Sequence, residues 1–145
     1  MIRLFEFGDL ERIMEIWLEG NLTAHPFIKE EYWRQNFGTV RSALPKAEVY
    51  VYEEEGQVQG FIGMDADYIA GLFVAEGHRG QGIGHQLVSA VKKKKRLWLH
   101  VYGKNTGAVA FYRSEGFRIE DSMIEKETGE QEHRMVFHEA GREIK

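Results

Sequence analysis

The chain has 145 residues, 43% hydrophobic and 29% charged, which at roughly 100 to 200 residues per domain is one domain, 1–145, and neither disordered nor fibrous. It contains no cysteine, so disulfides, cysteine-ligated zinc, iron–sulfur clusters and a thiol nucleophile are excluded. Nineteen Lys and Arg against 23 Asp and Glu give a formal charge of -4, which argues against a broadly basic nucleic-acid footprint and is compatible with a cationic ligand.

Met1 to Phe7 alternates enough for a short strand, and Gly8-Asp9 offers a break and an N-cap. Leu10, Ile13, Met14 and Trp17 follow at helical spacing, and Gly20 is expected to stop that helix. A second helix is expected from about Ile28 to Leu44, with Pro45 forcing its end. The period then changes: Glu48 to Glu53 and Val58 to Met64 flank Glu54-Glu55-Gly56-Gln57 and predict a β-hairpin. Tyr68 to Val74, a glycine-rich turn, the run Ile83, Leu87, Val88, Val91 and then Leu97 to Tyr102 predict strand, turn, helix and strand, a right-handed parallel crossover. A short helix, about Thr106 to Glu115, ends at Gly116, two strands surround Glu127-Thr128-Gly129-Glu130, and the last eight residues form a charged tail. The sum is one α/β domain with a mixed sheet. The longest apolar stretch, Tyr68 to Ala75, is far below the ~20 residues that span a bilayer. The N-terminus opens with Arg3, Glu6 and Asp9 rather than an apolar signal region. A cytoplasmic, unprocessed chain with no membrane association is expected.

Gly77-His78-Arg79-Gly80-Gln81-Gly82-Ile83-Gly84 lies between the apolar strand and the amphipathic helix, where backbone N–H groups and the helix dipole point at one spot. Such a place suits a polyphosphate, because glycine lets an anion approach the main chain and adopts positive φ at no steric cost. Walker A fails, since Gly82 is followed by Ile83 and Gly84 rather than Lys and Ser or Thr; the dinucleotide pattern from Gly80 fails at His85. Neither ATP nor NAD is indicated.

Read as Arg79, Gly82 and Gly84, the stretch matches Arg/Gln-x-x-Gly-x-Gly/Ala; Leu72-Phe73-Val74 precedes it, and Asn105 and Phe111-Tyr112-Arg113-Ser114-Glu115-Gly116-Phe117 follow. In these motifs and their order the chain resembles, over essentially its whole length, the GCN5-related N-acetyltransferases (GNAT). Within that family it is similar to bacterial single-domain protein lysine and ribosomal-protein alanine acetyltransferases. The resemblance implies a mixed, mostly antiparallel sheet with a central parallel strand–helix–strand crossover, flanked by helices. It implies acetyl-CoA as cosubstrate, held by Leu72, Phe73, Val74, Arg79, Gly80, Gln81, Gly82, Ile83, Gly84, Asn105 and Tyr112, with a main-chain N–H around Leu72 to Val74 for the oxyanion. Gly71 would permit a bulge there, or merely accommodate packing. Asn105 either bonds the cosubstrate or its loop, or simply caps a helix.

Moving an acetyl group from a thioester to an amine needs a neutral amine, a stabilised oxyanion and a proton for the leaving thiolate. Deprotonating a lysine-like amine at pH 7 costs about 4.6 kcal/mol, so a base is worth having. The resemblance places Tyr112 as the acid that protonates the sulfur; the alternative is a half-buried aromatic beside Phe111. His100 shares one strand face with Trp98 and Tyr102. It stands twelve residues before the tyrosine, where similar enzymes usually carry a Glu base. An imidazole suits proton abstraction, directly or through water, but a histidine on an apolar strand is equally a hydrogen-bonded core residue.

His25, Phe27, Tyr32 and Trp33 fall in the segment that roofs the acceptor site in this family, and their rings suit a lysine stem and its ammonium; alternatively Phe27 and Trp33 are core. Lys92-Lys93-Lys94-Lys95-Arg96 is expected to be a solvated helix end. The six histidines show no ligand spacing, so no metal is expected. The expected function is acetyl transfer from acetyl-CoA to a primary amine, a protein lysine or N-terminus, by a monomer or homodimer. The alternatives are a small amine acceptor (polyamine, aminoglycoside or amino acid), a non-catalytic CoA-binding or sensing module, and, from the lysine run alone, charged tRNA.

Overall fold

The computed structural model describes residues 1–139, so most of the expected charged tail lies outside the described residues. The chain forms two compact units, one ending at Ala90 and the other beginning at Val91. In the first, the elements run β1 (Ile2–Leu4), α1 (Leu10–Ala24), α2 (Glu30–Ala43), β2 (Glu48–Glu54), β3 (Gln57–Asp65) and β4 (Tyr68–Val74), and α3 (Ile83–Val91) leads out of it. β1 to β4 pair in sequence order, each antiparallel to the next. Glu55 and Gly56, both at positive φ, make the tight β2–β3 turn. The β3–β4 register shifts beside Gly63, which pairs with Gly71 while Met64 pairs with Ile69, so Ala70 is the extra residue of a bulge.

α1 buries Leu10, Ile13, Met14, Ile16 and Trp17 on one side, each worth about 1.5–3 kcal/mol on transfer from water. Two expectations for this helix are corrected. It continues past Gly20 to Ala24, because Gly20 serves a close approach rather than an end: a Cβ there would lie 2.7 Å from the Phe73 ring. Asp9 stands at the expected N-cap position of α1, but its side chain makes no capping hydrogen bond. Residues Phe7–Asp9 form a 3-10 turn, and the Asp9 carboxylate accepts from the Glu6 amide and pairs with both terminal nitrogens of Arg3 at 2.9 and 3.0 Å. Arg3 Nε also donates to Glu53 at 2.7 Å, tying β1 to β2. The Arg3 hydrogen bond holds the Asp9 carboxyl below its usual range, so this stabilisation is lost as acid protonates Asp9.

In the second unit the elements are β5 (Arg96–Tyr102), α4 (Thr106–Ser114), β6 (Arg118–Ile124) and β7 (Gln131–His138). β7 pairs antiparallel with both β5 and β6. Gly116, at φ +98°, closes α4, and the Phe117 amide donates back to the Tyr112 carbonyl at 2.9 Å. The lysine run is not uniformly solvated: Lys92 Nζ donates to the Glu115 carbonyl at 2.8 Å and lies 5.0 Å over the Phe137 ring. Both units combine helices with antiparallel strands, the α/β and mostly antiparallel class that was expected. Among the described residues no helix is long and apolar enough to cross a membrane.

Candidate active site

The glycine-rich turn leaves the end of β4 and reaches α3 through Gly77, Gly80 and Gly82, at φ +84°, +79° and +85°. No atom lies within 4 Å of where a Cβ would stand at any of the three, so their requirement is backbone conformation, and the space above the main chain is open to a ligand. The Gly82 carbonyl accepts from the Gln86 amide at 3.1 Å, the first bond of α3, so the preceding amides of that turn lie at the positive end of the helix dipole. Ile83 is fully inside, Gly80, Gln81 and Gly82 are exposed and Gly84 is half-buried. The helix start is seated by Gly60 on β3: a Cβ there would come within 3.1 Å of Ile83 and 3.4 Å of Leu87. The Arg79 side chain lies back along the protein surface, its Nε donating to the Val74 carbonyl at 2.9 Å and its Nη2 to Glu19 at 2.7 Å. Leu72, Phe73 and Val74 are half-buried at the end of β4, where Phe73 stacks on Phe61 with centroids 5.6 Å apart. Glu19 also lines a cleft of about 300 Å³ with Arg12, Glu15, Ile16, Ala75 and Glu76.

The residues between and on α1 and α2 come together as rings. His25 stacks on Trp33 at 5.3 Å and meets Phe27 edge-on at 5.7 Å, while Tyr32 is edge-on to Trp33 at 4.9 Å. Trp33 is buried against Trp17, at 6.1 Å. The other three rings are half-buried. Trp33 thus supports the group from beneath, and its buried indole N–H has no hydrogen-bond partner among the described residues.

In the second unit, His100 stands directly opposite Arg134 in the β5–β7 register, and Tyr102 opposite Glu132. The Arg134 guanidinium lies 4.3 Å over the Trp98 ring, and Trp98 meets His100 edge-on at 5.5 Å. Tyr102 donates its hydroxyl to Glu125 at 2.6 Å, and Thr128 donates to the same oxygen at 2.6 Å. Burial holds the His100 pKa below the usual imidazole value; the positive charge of Arg134 pushes the same way, and Glu125 opposes it. Both leading causes favour the neutral imidazole over the cation. Burial, then the nearby Glu125, raises the Glu132 carboxyl.

Tyr112 is buried, edge-on to Phe111 at 5.2 Å and to Phe117 at 5.4 Å. The carbonyl bonds at the end of α4 fix its turn. Asn105 is the N-cap of α4, its side chain accepting from the Ala108 amide at 3.2 Å. Sequence reasoning did not find Arg134, Glu125, Glu19 or Gly60. Arg134 and Glu125 meet His100 and Tyr102 only through β7 pairing and the β6–β7 turn, and no local pattern announces either. Gly60 carries a signal in hindsight, a glycine inside an otherwise apolar strand. Among the described residues no group of three His, Asp or Glu is placed to hold a metal ion.

A family model described as an acetyltransferase (GNAT) domain matches residues 45–119. The chain is 40% identical over 131 residues to the peptidyl-lysine N-acetyltransferase YiaC of Escherichia coli K12, covering 88% of this chain and 90% of that protein. It is 32% identical over 120 residues to the peptidyl-lysine N-acetyltransferase YjaB of the same strain, covering 81% and 82%. The solution structure of apo YjaB from Escherichia coli superposes with a TM-score of 0.84 at 26% identity, covering 94% of this chain and 96% of that one.

Proposed function

Since the chain belongs to the GNAT family of acetyltransferases and is an N-acetyltransferase, we infer that it moves the acetyl group of acetyl-CoA directly onto the side-chain amine of a protein lysine. The observation that carries the cosubstrate is the turn from Gly77 to Gly84, whose positive-φ glycines leave the main chain open in front of α3. The lysine acceptor follows the peptidyl-lysine activity named for YiaC and YjaB. Acetyl-CoA supplies an activated thioester. The amides between residues 79 and 84 hold its diphosphate, and main-chain donors at Leu72 to Val74 face the carbonyl oxygen where negative charge develops. His100, whose burial favours the neutral imidazole, takes a proton from the lysine ammonium so that the neutral amine attacks; Tyr112 gives a proton to the departing sulfur, and the second proton shed by the nitrogen as the amide forms restores the phenol. His25, Phe27 and Tyr32, backed by Trp33, hold the lysine stem and face its ammonium. Asn105 orders the start of α4 so that Tyr112 is presented in place. The whole chain acts as one cytoplasmic catalytic domain, as a monomer or homodimer.

The test is thiol release from acetyl-CoA with lysine-containing peptides, polyamines, aminoglycosides and free amino acids as acceptors. Release with peptides, ending in acetyl-lysine by mass spectrometry, is expected. Release with small amines alone would move the acceptor to that class, and CoA binding without release on any amine would make the chain a sensing module.

A further inference from the structure

We propose that Arg79 is a positioning residue, which aims the amides of the glycine-rich turn by tying the end of β4 to α1 through Glu19 rather than by reaching the diphosphate with its side chain. The proposal deepens the acetyl-CoA reading and rests on it. Its first ground is the use of the guanidinium. Arginine recognises phosphate best along one edge, with two parallel N–H groups. The edge formed by Nε and Nη2 is already occupied here, by the Val74 carbonyl at 2.9 Å and a Glu19 carboxylate oxygen at 2.7 Å.

The second ground is where this contact falls. Glu19 precedes Gly20, whose missing side chain lets α1 come against the Phe73 ring. Phe73 in turn precedes Val74, the residue that Arg79 holds. The bridge therefore fastens the turn at the point where α1 touches β4. The third ground is the turn's own freedom. Glycine loses more conformational entropy on ordering than any other residue, and Arg79 sits between Gly77 and Gly80, with Gly82 two residues beyond. A segment so built keeps its amides aimed only if its middle is anchored, and the Arg79 side chain is an anchor there.

The two possible roles of Arg79 give opposite signs for one substitution. Glu19→Gln removes a negative charge near a site for a polyanion, so if Arg79 is a phosphate ligand, the variant binds CoA as well as wild type or better. If Arg79 is an anchor, Glu19→Gln weakens binding despite that favourable change in charge. The experiment is calorimetry of CoA binding to wild type, Glu19→Gln, Arg79→Gln, Arg79→Lys and the double variant Glu19→Gln/Arg79→Gln. It is paired with amide exchange across residues 77–82 and thermal melting. We expect Glu19→Gln and Arg79→Gln each to weaken binding about fivefold, as loss of a partly exposed ion pair worth up to about 1 kcal/mol implies. The double variant should be no weaker than Arg79→Gln within twofold, and Arg79→Lys should recover part of the loss. Exchange across the turn should quicken while amides outside residues 77–82 exchange as in wild type, and the melting temperature should fall by no more than a few degrees, as about 1 kcal/mol implies. Unchanged or tighter binding by Glu19→Gln overturns the proposal, and so do additive losses in the double variant. Wild-type protein that binds no CoA defeats the acetyl-CoA reading itself, an outcome that no variant is needed to see.

Discussion

The turn between β4 and α3 is made of main chain, whereas the face around His100 is made of side chains drawn from β5, β7 and the β6–β7 turn. In the first, three glycines within one short stretch adopt positive φ with open space above them. In the second, His100 owes its bias toward the neutral form to burial and to Arg134, which is 34 positions further along the chain. A site built from backbone is insensitive to most side-chain changes but intolerant of a Cβ at its positive-φ positions. A site built from side chains tolerates its backbone neighbours but depends on the protonation of each member.

The difference predicts how each region fails. The largest effect is expected at the two proton-transfer groups. Tyr112→Phe should lower kcat by about 10²–10⁴, the range of general acid–base contributions, with the calorimetric affinity for CoA within twofold of wild type; a comparable loss of affinity would show that the ring serves packing instead. His100→Gln tests the side-chain region through pH. Wild-type kcat/KM should fall on the acid side with a midpoint below 6.5, because the neutral imidazole is the working form and its pKa is depressed. His100→Gln should abolish that limb, and Arg134→Gln, which removes the cation that lowers the pKa, should move it to higher pH. The same group acts on folding: the unfolded chain takes up a proton near pH 6.5 that the folded His100 resists, so stability drops as pH falls below that value. Urea titrations of His100→Gln should show a flatter dependence there.

A smaller effect is expected in the backbone region. Gly82→Ala meets no neighbour, so its only cost is the positive φ, about 1–2 kcal/mol. CoA affinity or stability should fall by about tenfold with kcat little changed, and a rate loss at saturating cosubstrate would contradict the assignment of this turn to binding alone. The smallest effect has the opposite sign. Lys95 ends the turn after α3 at φ +70°, and Lys95→Gly should stabilise the protein by about 0.5–1 kcal/mol in thermal melts.

How much of this was legible follows from the same contrast. Tyr68–Val74, the glycine turn, α3 and the end of α4 at Gly116 all follow from local pattern, because strand periodicity, missing side chains and helix stops act over a few residues. Two local signals misled. Gly20 reads as a helix stop, yet tertiary packing against Phe73 keeps it inside α1. Asp9 reads as an N-cap, yet Arg3 offers its carboxylate a charged partner, and the hydrogen bonds to Arg3 and Glu6 win. Arg79 was legible as part of a motif but not in what its side chain grips, since Glu19 lies 60 positions earlier. Arg134 and Glu125 were not legible at all, because the β5–β7 register and the β6–β7 turn, which no single stretch encodes, bring them to β5.

The stack of Arg134 on Trp98 has a practical corollary. The chain has three tryptophans, and Trp17 and Trp33 lie against each other in α1 and α2. Trp98 carries a guanidinium on its face and an imidazole at its edge. Substituting the α1–α2 pair with phenylalanine would leave a chain whose ultraviolet emission comes from one indole. Its intensity would report the charge of the neighbouring imidazole in real time, with no dye attached.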